Sequence, residues 1–149
     1  MEELSHRPTR RSREQDLRTA LEAAGHRFTP QRAAVFRALD ASSAHPTADE
    51  LFTAVRREIP DISLATVYKA LEAFVGSGVA VKLNHGDGPA RYDCRTDAHH
   101  HLTCLGCGRV VDVDDLDMRD YLRSVEARSG FEIRDYELVL VGTCSGCRN

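Results

Sequence analysis

The sequence lacks any hydrophobic run long enough to cross a membrane. A membrane helix needs roughly 20 consecutive apolar residues, and no stretch of this 149-residue chain approaches that length. The N-terminus is polar and rich in arginine, without the apolar core of a signal peptide. We therefore expect a cytoplasmic protein with no membrane partner, and the length suits one compact domain or two small ones.

The chain also lacks an excess of positive charge. Its 20 Lys and Arg are outnumbered by 23 Asp and Glu, which gives a net charge of -3. The charges are unevenly distributed, however, because residues 1–37 hold eight Arg against five acids. Residues 1–13 are predicted to form a flexible basic arm that contains Arg7, Arg10, Arg11 and Arg13. This arm is either simply solvated or contacts the phosphates of a nucleic acid.

Cysteine is too scarce for a secreted disulfide scaffold, since the chain has only five. Four of them form two Cys-x-x-Cys pairs, Cys104 with Cys107 and Cys144 with Cys147. Two intervening residues let one tight turn present both sulfurs to one ion, and two such turns complete a closed tetrahedral zinc site. The alternative is four buried or reactive thiols. The spacing predicts a structural zinc that ties the C-terminal strand to an earlier hairpin.

The fifth cysteine, Cys94, has no partner of this kind. A small buried thiol is the simplest interpretation. Because Cys94 follows an aspartate, it could instead be an auxiliary metal ligand or a redox-reactive group. A thiol-based sensor therefore stays open as an alternative.

A second group of potential ligands contains no cysteine. His99 and His101 are two residues apart, so on a strand they would share a face. Asp93, Asp112 and His45 could supply further oxygen and nitrogen atoms. Mixed imidazole and carboxylate ligands favour divalent ions such as Fe(II), Mn(II) or Zn(II). The alternative is a set of solvated or hydrogen-bonded histidines, with His45 an ordinary loop residue.

The periodicity predicts an α+β protein with two domains. Residues 14–93 read as four short helices followed by a β-hairpin, which is a winged helix-turn-helix. In the fourth helix an apolar stripe is expected to be buried, and it consists of Leu64, Val67, Leu71, Phe74 and Val75. Residues 94–149 are predicted to form an α/β domain with strands at 101–105, 109–113 and 131–141 and a helix at 115–129.

The fourth helix has the features of a recognition helix. Ser63 is its predicted cap, and Leu64, Val67 and Leu71 would face the core. The opposite side presents Ala65, Thr66, Tyr68 and Lys69, whose side chains suit phosphates and base edges in a major groove. The alternative is an ordinary amphipathic helix with a solvated face, but the wing that directly follows favours DNA binding.

Together these residues resemble the ferric uptake regulator family. The resemblance runs from about Asp16 to Cys147. The matching segments, in the order and spacing of the family, are Arg27-Phe28-Thr29-Pro30-Gln31-Arg32, His45-Pro46-Thr47-Ala48, Ala65-Thr66-Val67-Tyr68-Lys69-Ala70-Leu71, Arg91-Tyr92-Asp93, His99-His100-His101-Leu102-Thr103-Cys104 and Cys107-Gly108-Arg109-Val110-Val111-Asp112. The family implies homodimeric, metal-activated repressors of double-stranded operator DNA, each with an N-terminal winged helix, a C-terminal α/β dimerisation domain and a regulatory metal at the hinge.

The resemblance assigns roles to particular residues. It implies structural Zn(II) at the four paired cysteines and DNA contacts that include Arg27, Thr29, Gln31 and Arg32 as well as the fourth helix. The regulatory Fe(II) or Mn(II) would be held by His45, Asp93, His99, His101 and Asp112. Aspartate at both carboxylate positions is similar to the peroxide-sensing branch, in which Fe(II) and hydrogen peroxide lead to oxidation of a ligand, here His45 or His99.

The alternative within the family is an iron- or manganese-responsive uptake repressor without peroxide sensing. Two departures count against zinc sensing: zinc-uptake sensors commonly have Cys where Asp93 stands, and residues 134–137 lack the histidine of a second regulatory site found in many members. An enzyme is not expected, because no second acid or base is placed for general catalysis. A zinc-ribbon-like module that binds nucleic acid non-specifically through its basic arm is the remaining hypothesis.

Overall fold

The computed structural model describes residues 10–84, 88–95, 99–114, 116–136 and 138–148, with the side chains of residues 10–12 left out. The chain divides into two compact units, Met1–Thr96 and Asp97–Asn149. In the described part, no helix combines the length and apolar character that spanning a membrane requires.

The first unit contains four helices and a hairpin. Its elements are α1 (Arg10–Ala23), α2 (Pro30–Asp40), α3 (Ala48–Val55), α4 (Leu64–Gly76), β1 (Val81–Leu83) and β2 (Arg91–Asp93). The strands pair antiparallel, with Val81 opposite Asp93 and Leu83 opposite Arg91. The predicted winged helix-turn-helix is confirmed, and residues 85–87 at the hairpin tip lie outside the described residues.

The helix starts follow from local capping. Thr29 and Ser63 each accept a hydrogen bond from a backbone N–H three residues on, at Arg32 and Thr66. Thr47 and Glu50 form a complete capping box at the start of α3. Each cap satisfies backbone donors that the first helical turn leaves without partners. The sequence predicts these helix starts because each capping hydrogen bond joins residues within one helical turn.

The core of this unit lies between α2, α3 and α4. Val67, Leu71 and Phe74 of α4 are fully buried, and the Phe74 ring meets the edge of Phe36 with 6.0 Å between ring centroids. The prediction that Val75 is buried is wrong, because it is 37% exposed. On α4 the buried stripe continues through Phe74 and leaves Val75 at its solvent edge.

The N-terminal helix begins earlier than expected. α1 starts at Arg10, inside the segment 1–13 for which the sequence predicts a flexible arm, and residues 1–9 lie outside the described residues. Arg13 forms an ion pair with Asp40, and Glu14 accepts a 2.9 Å hydrogen bond from Arg37 of α2. Arg13 therefore helps to fasten α1 to α2 and is not part of a free arm.

The second unit is a small sheet with one helix. Its elements are β3 (His100–Cys104), β4 (Val110–Val113), α5 (Arg119–Ser129) and β5 (Val139–Gly142). The strand order is β4-β3-β5, with β4 antiparallel and β5 parallel to the central strand β3. The prediction of one long strand over 131–141 is wrong for its first half. The backbone N–H of Ile133 donates to Glu126 Oε1 of α5, so this segment is held by the helix instead of a neighbouring strand.

Candidate metal centres

The two Cys-x-x-Cys pairs of the second unit come together. Cys104 ends β3 and Cys107 lies in the turn after it, while Cys144 and Cys147 follow β5. All four sulfurs lie within 4.8 Å of one another, and Cys107 Sγ is 3.8 Å from Cys144 Sγ. Zn–S bonds of about 2.3 Å place the sulfurs of a tetrahedral site about 3.8 Å apart. The sequence-predicted ligand set therefore has dimensions that fit one zinc ion.

The electrostatics of the four thiols also fit a cation. The Cys144 backbone N–H donates to Cys104 Sγ at 3.3 Å, and amide hydrogen bonds of this kind lower the pKa of Cys104 to about 6. Hydrogen bonds with the neighbouring cysteines, first of all Cys144, raise the pKa of Cys147 to about 12. One thiolate is thus stabilised by backbone dipoles, whereas a full set of thiolates needs a positive ion among them.

Gly106 is a small residue on which this centre depends. A Cβ at Gly106 would lie 2.9 Å from both Cβ and Sγ of Cys147. We expect Gly106→Ala to displace Cys147, to weaken zinc retention against a competing chelator, and to lower stability by about 1–3 kcal/mol, as overpacking does. Gly146→Ala is the matched control, because its Cβ would meet only Cys144 Sγ, at 3.9 Å. Equal zinc retention in the two variants would contradict the prediction.

A second group of ligands in the same unit consists of His99, His101 and Asp112. The two imidazole rings lie 4.6 Å apart between centroids, and Asp112 pairs with His101 across β3 and β4. Asp112 Oδ1 is 3.4 Å from Nε2 of each histidine. Two ligands that share one ion through bonds of about 2.1 Å lie about 3.0 to 3.4 Å apart. The His99–His101–Asp112 group is therefore shaped to offer three ligand atoms to one metal.

The first unit holds the other two predicted ligands. His45, in the loop before α3, places Nε2 3.4 Å from Asp93 Oδ2 at the end of β2. Both side chains are largely buried, His45 with 4% exposed. His45 has φ of 50°, in the left-handed region, and Asp93 Oδ1 accepts a 2.9 Å bond from the Arg95 N–H. The His45–Asp93 pair is thus a preformed but small ligand set.

Sequence reasoning missed the side chain that supports His45. Arg91 Nη1 donates a 3.0 Å hydrogen bond to the His45 carbonyl oxygen. The motif that contains Arg91 is evident in the sequence, but nothing in it indicates a partner 46 residues away.

Cys94 belongs to the first unit and is not one of the four clustered cysteines. Its thiol packs against the helical core and donates to Asp40 Oδ1 at 3.5 Å. Burial, and then the negative charge of Asp40, raise the pKa of Cys94 to about 12. The thiol is therefore neutral at physiological pH and a poor nucleophile, which supports the interpretation as a structural residue over that as a thiol sensor.

The residues proposed for DNA contact lie at the starts of α2 and α4. On α4, Ala65, Tyr68 and Lys69 are exposed, and the Thr66 hydroxyl is bonded to Ser63 Oγ at 2.8 Å. At α2, Arg27 and Gln31 are exposed, Thr29 is the cap, and Arg32 donates to the Arg27 carbonyl.

The sequence model of the ferric uptake regulator family matches residues 23–141. The chain belongs to this family. The peroxide-responsive repressor PerR of Staphylococcus aureus is 35% identical over 130 residues, which cover 87% of this chain and 88% of that protein. As a member of the ferric uptake regulator family, the chain is a metal-responsive regulator.

Solved structures similar to this chain include a peroxide stress regulator and a ferric uptake regulator. The peroxide stress regulator of Campylobacter jejuni is 30% identical, with a TM-score of 0.64, over 89% of this chain and 97% of that one. The ferric uptake regulator of Pseudomonas aeruginosa, solved with manganese, is also 30% identical, with a TM-score of 0.66, over 85% of this chain and 96% of that one. Family membership therefore does not decide which signal the chain senses. The candidate metal ligands are the remaining evidence on that question.

Proposed function

We propose that the chain is a homodimeric, metal-dependent repressor of operator DNA and that it senses hydrogen peroxide. The observation that carries the proposal is the pair of sulfur-free ligand groups, one in each unit. His45 and Asp93 offer one nitrogen and one oxygen, fewer than Fe(II) or Mn(II) requires. His99, His101 and Asp112 offer two nitrogens and one oxygen. One ion that draws on both groups would obtain a mixed nitrogen and oxygen set of five.

Such an ion would act on DNA binding through geometry. In a dimer, two recognition helices must reach successive major grooves about 34 Å apart. A metal that links the two units fixes the direction in which each winged helix points without touching DNA. The coupling is reciprocal, so operator DNA must tighten metal binding by the same factor.

The exposed face of α4 supports DNA as the partner. Tyr68 is 42% exposed, and Lys69 lies beside it in the N-terminal half of the helix. An amine and a phenol at this position can reach phosphates and base edges. The wing, β1 and β2, follows the helix directly and completes the usual form of this DNA-binding fold.

The second unit supports self-association. Apolar side chains that a monomer would leave in water include Leu102, Leu116, Tyr121, Phe131, Val139 and Val141. β5 is an edge strand of the described sheet. Exposed apolar side chains near an unprotected edge mark a protein interface, and a second copy of the same unit would cover them.

The carboxylate ligands favour peroxide as the signal. Both positions are aspartate, and the S. aureus relative, at 35% identity, is a peroxide-responsive repressor. Bound Fe(II) would supply the reducing equivalent for hydrogen peroxide. Among the ligands, the resemblance to the peroxide-sensing branch points to the imidazoles of His45 and His99 as the groups that would be oxidised. An imidazole that gains oxygen loses strength as a ligand, and release of the metal ends repression.

Mass spectrometry after brief peroxide exposure tests this signal. We expect the Fe(II)-loaded protein to gain one oxygen atom on His45 or His99 and to lose operator binding, whereas the Mn(II)-loaded protein keeps both properties. His100, which is outside the ligand set and is hydrogen bonded to Tyr136 Oη at 3.3 Å, serves as an internal control and stays unmodified. Iron-loaded protein that remains unmodified and bound to DNA would favour the alternative.

That alternative is an iron- or manganese-responsive uptake repressor without peroxide sensing. The P. aeruginosa relative with manganese favours it as strongly as the C. jejuni protein favours peroxide, since both are 30% identical. DNA affinity that is indifferent to both Fe(II) and Mn(II) would overturn the repressor proposal itself.

A further inference from the structure

We propose that Arg91 is a positioning residue that holds the His45 imidazole ready for the regulatory metal. The inference rests on the proposed function, because it assigns His45 to that metal. It concerns the first unit alone and is carried by the backbone of the loop before α3.

His45 adopts a backbone conformation that is unfavourable for a non-glycine residue that precedes proline. It is the only non-glycine residue with positive φ in the described part of the chain. A side chain with a Cβ rarely occupies this region, and a residue before proline prefers extended backbone. His45 precedes Pro46 and nevertheless has φ of 50°. Strain of this kind persists only where surrounding contacts impose it, and it is concentrated at functional sites.

Three contacts from β2 bear on this loop. The Arg91 guanidinium donates to the His45 carbonyl oxygen at 3.0 Å, and the Tyr92 N–H donates to the Pro46 carbonyl oxygen at 3.0 Å. Thr47 pairs with Arg91 through an antiparallel bridge. Two of these contacts are backbone interactions that any residue at position 91 would allow, whereas the bond to His45 needs a long donor side chain.

The guanidinium is itself held in place. Arg91 Nη1 lies 3.6 Å from Glu50 Oε2, and only 19% of the Arg91 side chain is exposed. The same Glu50 atom accepts the Thr47 N–H in the α3 capping box. Arg91 therefore connects the start of α3 to the carbonyl of His45, and its planar fork can serve both partners at once.

The strand that supports His45 also carries its fellow ligand. Asp93 is two residues after Arg91 on β2, and its Oδ2 lies 3.4 Å from His45 Nε2. One short strand thus sets both members of the pair. Without the guanidinium, the His45 carbonyl loses a donor, the residue is free to relax towards extended backbone, and the imidazole moves away from Asp93.

Titration of the zinc-loaded, full-length protein with Mn(II) tests this role. We expect Arg91→Gln to weaken Mn(II) binding by about 10-fold or more, the usual effect of removing a group that orients a ligand. Arg91→Lys should give an intermediate affinity, since an ammonium can still donate one hydrogen bond. Arg119→Gln is the matched control, because this exposed arginine pairs with Asp117 in the second unit and has no part in the contacts of His45.

Amide exchange without Mn(II) provides a second readout. Segment 44–49 should exchange faster in Arg91→Gln than in the wild type, while the core of α4 stays protected. If the wild type binds neither Mn(II) nor Fe(II), the proposed function fails, and the exchange rates alone decide whether Arg91 holds the loop. An Arg91→Gln protein with the Mn(II) affinity and the amide exchange rates of the wild type would overturn the inference. If Arg91→Gln does not fold, Arg91→Lys is used instead. An Arg91→Lys protein that binds Mn(II) as tightly as the wild type would then overturn the inference.

Discussion

Replacing Cys147 by serine is expected to release zinc and to unfold the second unit. That unit has little else to hold it, because the side chains that are buried among its described residues are those of Thr103, Cys104 and Val110. The helix α5 has no buried residue, and Phe131 is 75% exposed. Structural zinc contributes about 10–16 kcal/mol to the folding of zinc-finger peptides, which exceeds the stability of most small domains.

Zinc content and thermal unfolding check this prediction together. The Cys147→Ser protein should contain no tightly held zinc, and its unfolding should retain only the transition of the first unit, whose core is separate. Cys94→Ser is the control, since a serine hydroxyl can also donate to Asp40. A Cys147→Ser protein that keeps its zinc and both transitions would show that the cysteine cluster is not a structural centre.

Replacing Asp112 by alanine is expected to abolish the response of DNA binding to Mn(II). Asp112 Oδ1 lies 3.4 Å from both histidines of its group, so the carboxylate lies between the two imidazoles and supplies their only negative charge within the group. Loss of a residue that merely orients a ligand weakens metal binding by about 10–100-fold. Loss of the ligand itself should therefore cost about 100-fold or more.

Operator binding measured across a Mn(II) titration provides the check. The Asp112→Ala protein should bind DNA weakly at the Mn(II) concentrations that just saturate the wild type, while its zinc content stays normal. Asp114→Ala is the control, because this exposed aspartate lies just after β4 and outside the ligand group. Retention of the full Mn(II) response by Asp112→Ala would remove this aspartate from the regulatory site.

The parts of the fold that the sequence predicts are those with short-range causes. Thr29, Thr47 and Ser63 cap helices through atoms one turn away. The Cys-x-x-Cys spacing defines a sulfur pair within a single turn, so the residues of the cysteine cluster are recognisable from their spacing alone. The sequence also places Asp112 on the strand next to that of His101, and the register of the β3–β4 hairpin brings the two residues opposite each other.

The errors and omissions have causes that lie beyond a single helical turn. The segment after α5 has strand periodicity, but Glu126 binds the N–H of Ile133 and withdraws it from the sheet. The sequence places Arg13 in a flexible arm because its partner, Asp40, is at the far end of another helix. The left-handed backbone of His45 has no local signal, and its support comes from β2. Each outcome depends on a particular side-chain contact, seven residues away for Ile133 and 46 residues away for His45, that composition and periodicity do not encode.

Because β3 pairs in parallel with β5, the sheet of the second unit can be completed only after β5 has been synthesised. When Cys94 leaves the ribosome, the whole helical core and the wing have been made, and N-terminal domains generally fold first. The central strand β3 then lacks its parallel neighbour β5 until Gly142 is added, and Cys104 and Cys107 have no partner sulfurs until Cys144 and Cys147 are made. A nascent chain would thus hold a finished winged helix before its sheet is complete, and zinc capture would follow once all four cysteines have been made.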